Sequence, residues 1–251
     1  MGHAAGTTGP IILIAIGGAP GLAAPLPTVL PEGSVVVAAD SGVAHAQQAG
    51  LHVDHLVGDL DSASPDAVAR AEAAGTVVHR HHPDKDATDT ELALDLAAHE
   101  VAPRTGIREL VVVGPGGGRL DHLVADVLGL ASPGLEGFDV TARLGAATIT
   151  IVRAGHGRDV HGEVGEQVSL LPVHGPAIGV TTVGLRWALE HADLRPGTTR
   201  GISNELVRAR AHVVVRNGTL AVLQPGAPAP ELAPRPTPYD PSPRIPEGGP
   251  T

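Results

Sequence analysis

The sequence predicts an α/β domain with a mostly parallel sheet, followed by a smaller antiparallel β-sandwich domain. Three observations predict it. Up to about residue 131, short apolar runs without polar alternation (residues 11–16, 35–39, 55–57 and 110–113) alternate with helix-like segments, the pattern of strands buried on both faces. From Asp139 onward the helical pattern stops, and short β-rich runs punctuated by Gly and Asn turns replace it. The 251 residues include no cysteine and only three aromatic side chains, so both cores have to be built from Val, Leu, Ile and Ala, without disulfides or a Cys-based metal site.

In chain order, residues 1–10 are small and polar and are expected to be loose. Residues 11–16 read as the first buried strand, 17–21 as a turn and 23–30 as a short helical segment. Residues 35–39 form a strand ending in Asp40-Ser41-Gly42, before a helix over 43–49. Asp40 thus sits at the carboxyl end of a strand, where open α/β sheets bind ligands; helix N-cap is its other reading. The run 55–57 breaks at Gly58 into Gly58-Asp59-Leu60-Asp61-Ser62. If the extended backbone continues past Gly58, Asp59 and Asp61 face a common site, and two carboxylates so placed suit Mg²⁺, with waters and phosphate oxygens completing its octahedron. As a solvated loop carboxylate, Asp59 is expected to add little stability. Ser64-Pro65 opens a helix that stops at Gly75, and 76–78 is a strand. His79, His81 and His82 read as a solvated loop, since no helical spacing pairs them for a metal.

Asp84-Lys85-Asp86-Ala87-Thr88-Asp89 follows. Thr88 and Glu91 form a capping box that opens a helix over 89–99, so Asp86 and Asp89 flank a helix N-terminus, an end that also favours bound anions. A turn over 103–106 leads to a strand at 110–114. Pro115-Gly116-Gly117-Gly118-Arg119 joins that strand to a helix over 120–130; its spacing fits neither a P-loop nor a dinucleotide fingerprint, but Arg119 offers forked donors to a phosphate. In the second domain, strands are expected at 140–144, 147–152, 168–173, 180–183, 211–216 and 220–223, with Asn217-Gly218 as a hairpin turn. Ten prolines fall in residues 224–251, which predicts a disordered or extended tail.

Seventeen Lys and Arg against 27 Asp and Glu leave a formal charge of −10, which argues against nucleic acid as a partner and suits a cation or a metal-complexed anion. The run at 11–16 has no basic residue before it and is too short for a signal core or a membrane span, so a cytoplasmic protein without a membrane partner is expected.

GDLDS (58–62), DKDATDTELAL (84–94), GGGRLDH (116–122), SLLPV (169–173) and GISNE (201–205) resemble, in content and order, the bacterial thiamine pyrophosphokinases over about residues 11–223. The resemblance implies transfer of pyrophosphate from Mg²⁺-bound ATP to thiamine, giving thiamine diphosphate and AMP. It implies an ATP-binding catalytic domain over 11–131 and a thiamine-binding domain over 132–223, in a homodimer with the thiamine site at its interface. Asp59, Asp61 and Asp89 are then the expected Mg²⁺ ligands and catalytic carboxylates. Asp40, Lys85, Asp86, Thr88, Arg119, Asp121 and His122 are expected around the phosphates or the metal. Ser203 and Asn204 are expected to bind thiamine with Trp187 beside them, whose other reading is a core or interface side chain. The chain departs from the family pattern at Asp126, where the family usually carries Asn. Two alternatives stay open: a different acceptor alcohol, such as a hydroxymethylpterin, and a protein that binds thiamine or nucleotide without turnover.

Overall fold

The computed structural model describes residues 9–18 and 25–226. Most of the N-terminal stretch 1–10, part of the turn expected at 17–21, the first residues of the expected 23–30 segment and the proline-rich tail from 227 lie outside the described residues. The described part of that segment, 25–30, is not helical; Pro25, Pro27 and Pro31 deny it backbone donors and restrict the residues before them.

One mixed sheet runs through the molecule. Its first part is parallel, in the order β4 (Val77–Arg80), β3 (His55–Gly58), β2 (Val35–Ala39), β1 (Ile12–Ile16), β5 (Glu109–Gly114) and β6 (Asp139–Leu144). The central strand β1 is buried along its whole length, and its side chains alternate between two cores. Ile12, Ile14 and Ile16 pack with the side of the sheet covered by α3 (Asp89–Leu96) and α5 (Leu120–Leu130), whereas Leu13 and Ala15 pack with α1 (Gly42–Gln48) and α2 (Pro65–Ala73). The uninterrupted apolar runs of the sequence are the consequence of this double coverage.

The antiparallel part begins where β6 turns into β7 (Ala147–Arg153) and continues through β13 (Asn217–Gln224), β9 (Gln167–Val183), β12 (Arg210–Val214) and β8 (Arg158–His161). The short strands β10 (Ala192–Leu194) and β11 (Asn204–Glu205) also pair with β9. The runs 168–173 and 180–183, expected as two strands, are one long β9. Its first half pairs with β13 and its second half with β12, so it passes from one layer to the other around a third core that includes Val152, Leu170, Val180, Leu194 and Leu220. This also corrects the hairpin expectation at Asn217-Gly218. Strands β12 and β13 do not pair with each other, because β9 lies between them; the dipeptide turns the chain across layers, with Gly218 at φ 90° against Pro176 O.

Two smaller differences have local causes. The helix expected to end at His99 continues through a π-helical turn, Ala97–Val101, into α4 (Ala102–Thr105), and Gly106 ends it at φ 78°. The widened turn just ahead lets Pro103, which has no N–H, sit at the start of the next helical turn. His79 is not in a solvated loop: it lies in β4, and its Nε2 meets His55 Nδ1 at 3.1 Å. Among the described residues, no helix is long and apolar enough to cross a membrane.

Candidate active site

A cleft of about 1240 Å³ opens at the carboxyl ends of the parallel strands, lined by Asp40, Asp59, Asp61, Lys85, Thr88, Asp89, Arg119 and His122 among others. The ends of β2 and β3 deliver their carboxylates through backbone turns that few side chains tolerate. Asp40 follows β2 in the left-handed region at φ 46°, a conformation open to Asp and Asn more than to other non-glycine residues. Ser41, not Asp40, is the N-cap of α1, which leaves the Asp40 carboxylate to the cleft.

Asp59 and Asp61 reach the same place by a route different from the expected one. Leu60 between them has φ 63°, so the strand does not continue; the Asp61 N–H instead donates to Asp59 Oδ1 at 3.3 Å, an Asx-type turn that brings both carboxylates to one side. Asp40, Asp59 and Asp61 can each place a carboxylate oxygen within 4.8 Å of the others. Asp89 is not in that group. It stands behind Gly58 (φ 144°), where a Cβ would come within 2.8 Å of Asp89 Oδ1, and it faces Lys85.

Lys85 ties the carboxylates together. Its ammonium donates to Asp59 Oδ2, and Asp89 Oδ1 lies 3.1 Å from the same nitrogen as an ion pair, without the direction of a hydrogen bond. Asp59 is therefore not the solvated loop carboxylate expected: its side chain is only 9% exposed. The Lys85 hydrogen bond holds the Asp59 carboxyl below its ordinary value. Burial alone would lower the Lys85 ammonium, but the carboxylates of Asp59 and Asp89 lift it above its ordinary value. Asp40 goes the other way. Burial, followed by the charges of Asp89, Asp61 and Asp59, pushes its carboxyl up against the opposing bond from Ser41, and its Oδ1 is buried with no hydrogen-bond partner. An acceptor left so is costly unless something positive meets it.

The Thr88 half of the expected capping box is present: Thr88 accepts from the Glu91 N–H at 3.1 Å and opens α3 at the wall of the cleft. Arg119 is the N-cap residue of α5, and its guanidinium forks onto Asp121 at 3.2 and 2.6 Å, holding that exposed carboxyl at about 2. Asp86 is exposed, and neither it nor Asp121 lines the cleft.

Trp187, Ser203 and Asn204 do not line it either; they gather in the antiparallel region. Asn204 is buried and committed to the backbone. Its Oδ1 accepts from the N–H groups of Trp187 and Glu205 at 3.1 and 2.9 Å, and its Nδ2 donates to Trp187 O at 2.8 Å. It positions the Trp187 loop. Trp187 is no core residue, being 54% exposed with the Arg186 guanidinium 5.1 Å above its ring. Ser203 is exposed in the left-handed region at φ 56°, its N–H bonded to Ser169 Oγ at 3.1 Å.

Residues 26–140 match the family model described as "Thiamin pyrophosphokinase, catalytic domain", and residues 155–220 match "Thiamin pyrophosphokinase, vitamin B1 binding domain", together well over half of the chain. The chain belongs to the thiamin pyrophosphokinase family. A thiamine pyrophosphokinase of Bacillus subtilis is 26% identical over 213 residues, which span 85% of this chain and 97% of that protein. The crystal structure of Bacillus subtilis thiamine pyrophosphokinase shares the fold, with a TM-score of 0.71 at 24% identity over 86% of this chain and 99% of that one. That of a thiamin pyrophosphokinase family protein from Enterococcus faecalis gives 0.69 at 26% identity over 86% and 98%.

Asp126, where the resemblance leads one to expect Asn, lies half-buried on α5. Burial raises its carboxyl above the ordinary value, while a hydrogen bond from Thr90 and the His122 side chain oppose the rise. A raised acid is penalised in the folded state at neutral pH, and the penalty disappears as pH falls below 3.8, where folded and unfolded chains are both protonated. Asp126→Asn is therefore expected to raise Tm by about 1–3 °C at pH 7, with the gain vanishing as pH approaches 3.8; thermal melts at several pH values check this.

Proposed function

We propose that this chain transfers pyrophosphate from ATP to the hydroxyethyl group of thiamine, giving thiamine diphosphate and AMP, in the cleft at the carboxyl ends of β1, β2, β3 and β5. The observation that carries the reading is the carboxylate trio Asp40, Asp59 and Asp61, with a buried Asp40 oxygen that has no partner. Hard oxygen donors crowded this closely repel unless a cation lies among them, and Mg²⁺ fits the donor set. Asp40, Asp59 and Asp61 would hold it; Asp89, one of the three ligands expected from the resemblance, instead supports Lys85. When bound, the ion neutralises phosphate charge and helps to orient the group being transferred.

The chain's own residues then supply position and charge. Lys85, fixed between Asp59 and Asp89, presents a cation to the phosphates. The N-terminal end of α3 at Thr88 and Asp89 adds free N–H donors, and Arg119 offers its fork in exchange for Asp121. The thiamine hydroxyl oxygen attacks the β-phosphorus in line with the departing AMP oxygen, and holding the reactants in that line accounts for much of the acceleration.

The thiamine subsite belongs to the region of Trp187 and Ser203, with Asn204 holding the Trp187 loop. That subsite is completed by a second copy in a homodimer, since the residues sit outside the cleft. Exposed Leu120, Val124 and Leu128, spaced four residues apart on α5, and exposed Trp187 and Ile202 give apolar surface for the contact. Absence of cysteine agrees with a cytoplasmic setting.

The test is product analysis with ATP, Mg²⁺ and either thiamine or a hydroxymethylpterin. Equal amounts of AMP and thiamine diphosphate, formed only with thiamine, are expected. AMP formed only with the pterin would replace the acceptor, and thiamine binding without AMP would replace the enzyme reading with a silent binder.

A further inference from the structure

Four buried side-chain polar atoms among the described residues have no hydrogen-bond partner: Asp40 Oδ1, Asp89 Oδ1, Arg153 Nε and Arg158 Nη1. The two acceptors belong to the cleft already described. The two donors belong to residues that line a second cavity of about 480 Å³, together with Phe138, Ile151, His156 and Asn217. It lies at the other end of the sheet, where β6 begins at Asp139 and the antiparallel β7 ends at Arg153.

We propose that this cavity is a second binding site, for a small molecule bearing a single phosphate group, held by Arg153 and Arg158. Guanidinium groups match phosphate oxygens in forked geometry; Arg153 Nε is a buried donor that such an anion would satisfy, and at Arg158 the anion would take the place of Asp139. Arg153 is already anchored: Nη1 donates to Ala131 O at 3.0 Å, and Nη2 to Leu130 O and Ser132 O at 3.2 Å each, at the C-terminal end of α5. Its Nε has no hydrogen-bond partner. Burial holds this guanidinium below its ordinary value, with Glu136 acting against the shift. Arg158 Nη1 touches the Asp139 carboxylate as an ion pair without the direction of a hydrogen bond, and the Asp139 side chain is 60% exposed, free to turn toward water and yield its place. Phe138 and Ile151 give an apolar wall, Asn217 and Thr219 add polar groups, and the volume falls within the range of small-molecule sites. Glu136 and Asp139 also line the cavity, which disfavours a polyanion such as ATP.

The experiment is a nitrogen–proton NMR titration of the full chain, without Mg²⁺, using inorganic phosphate and phenyl phosphate as probes. Saturable shifts of the amides of Gly137, Phe138 and residues 217–219 are expected in the unmodified chain and in Lys85→Ala, which weakens phosphate binding in the catalytic cleft. Arg158→Gln is expected to weaken this binding at least tenfold while leaving the spectrum folded; it is preferred to an Arg153 variant, which would also uncap α5. Tighter binding of phenyl phosphate would assign the site to phosphomonoesters, and equal binding would assign it to phosphate itself. Shifts confined to residues 84–90 and 116–122, or an affinity unchanged in Arg158→Gln, would overturn the proposal.

Discussion

Asp59→Asn is expected to lower kcat/KM for thiamine-dependent AMP release by about a thousandfold, roughly 4 kcal/mol of transition-state stabilisation. Asp59 serves two partners, as a member of the carboxylate trio and as the hydrogen-bonded acceptor for Lys85. The amide keeps the shape and an acceptor oxygen but removes the charge on which both depend. Stability should change far less, because two effects oppose each other. The Lys85 bond is weakened, while Asp40, whose carboxyl is pushed up partly by the charge of Asp59, is relieved. The pH dependence has a definite sign. A carboxyl held below its ordinary value stabilises the fold above that value, 3.8, and loses the contribution as pH falls through the depressed one. Asp59→Asn should lack that acid-side loss. Parallel measurements of kcat/KM and of melting from pH 3 to 8 check both parts.

Gly58→Ala is expected to lower Tm by about 5–10 °C and to raise KM for ATP at least tenfold, the larger stability effect of the two. Gly58 has φ 144°, a region closed to side-chain-bearing residues, and an added Cβ would stand 2.8 Å from Asp89 Oδ1 and 3.4 Å from Asp40 Cβ. The chain has to relax both the end of β3 and the Asp89 side chain. Moving Asp89 releases Lys85 from its second carboxylate, so the ammonium that lines the cleft loses its fixed position. Calorimetric melting and steady-state kinetics on the variant separate the strain from the lost positioning. An unchanged KM with a lowered Tm would show that Asp89 tolerates the shift.

Much of this site was legible in the sequence because it is local. Gly58-Asp59-Leu60-Asp61 and the Thr88–Glu91 cap are short-range signals, and the uninterrupted apolar runs report a sheet covered on both faces. The details that escaped depend on backbone hand or on partners far along the chain. The turn at Leu60 replaces strand alternation as the device that aligns Asp59 and Asp61. The left-handed backbone at Asp40, and its burial beneath neighbouring carboxylates, place it in the trio, whereas Asp89 is drawn to Lys85. The commitment of Asn204 to the Trp187 loop needs a contact across 17 positions, and no periodicity announces it. In the antiparallel region the runs 168–173 and 180–183 are one strand, β9, whose two halves have different neighbours, and such a change of partner along one strand leaves no local signal. Arg153 and Arg158 gave no signal, since what sets them apart, a buried Nε without a partner at Arg153 and an ion pair to an exposed carboxylate at Arg158, exists only after folding.

The most direct measurement is thiamine-dependent AMP formation as a function of Mg²⁺ concentration, in the unmodified chain and in Asp40→Asn. Asparagine tolerates the left-handed backbone of position 40, so the substitution removes charge with little strain. If Asp40, Asp59 and Asp61 hold the ion at which pyrophosphate is handed to thiamine, Asp40→Asn will need at least tenfold more Mg²⁺ for half-maximal rate. The same Mg²⁺ dependence in both proteins would contradict the account.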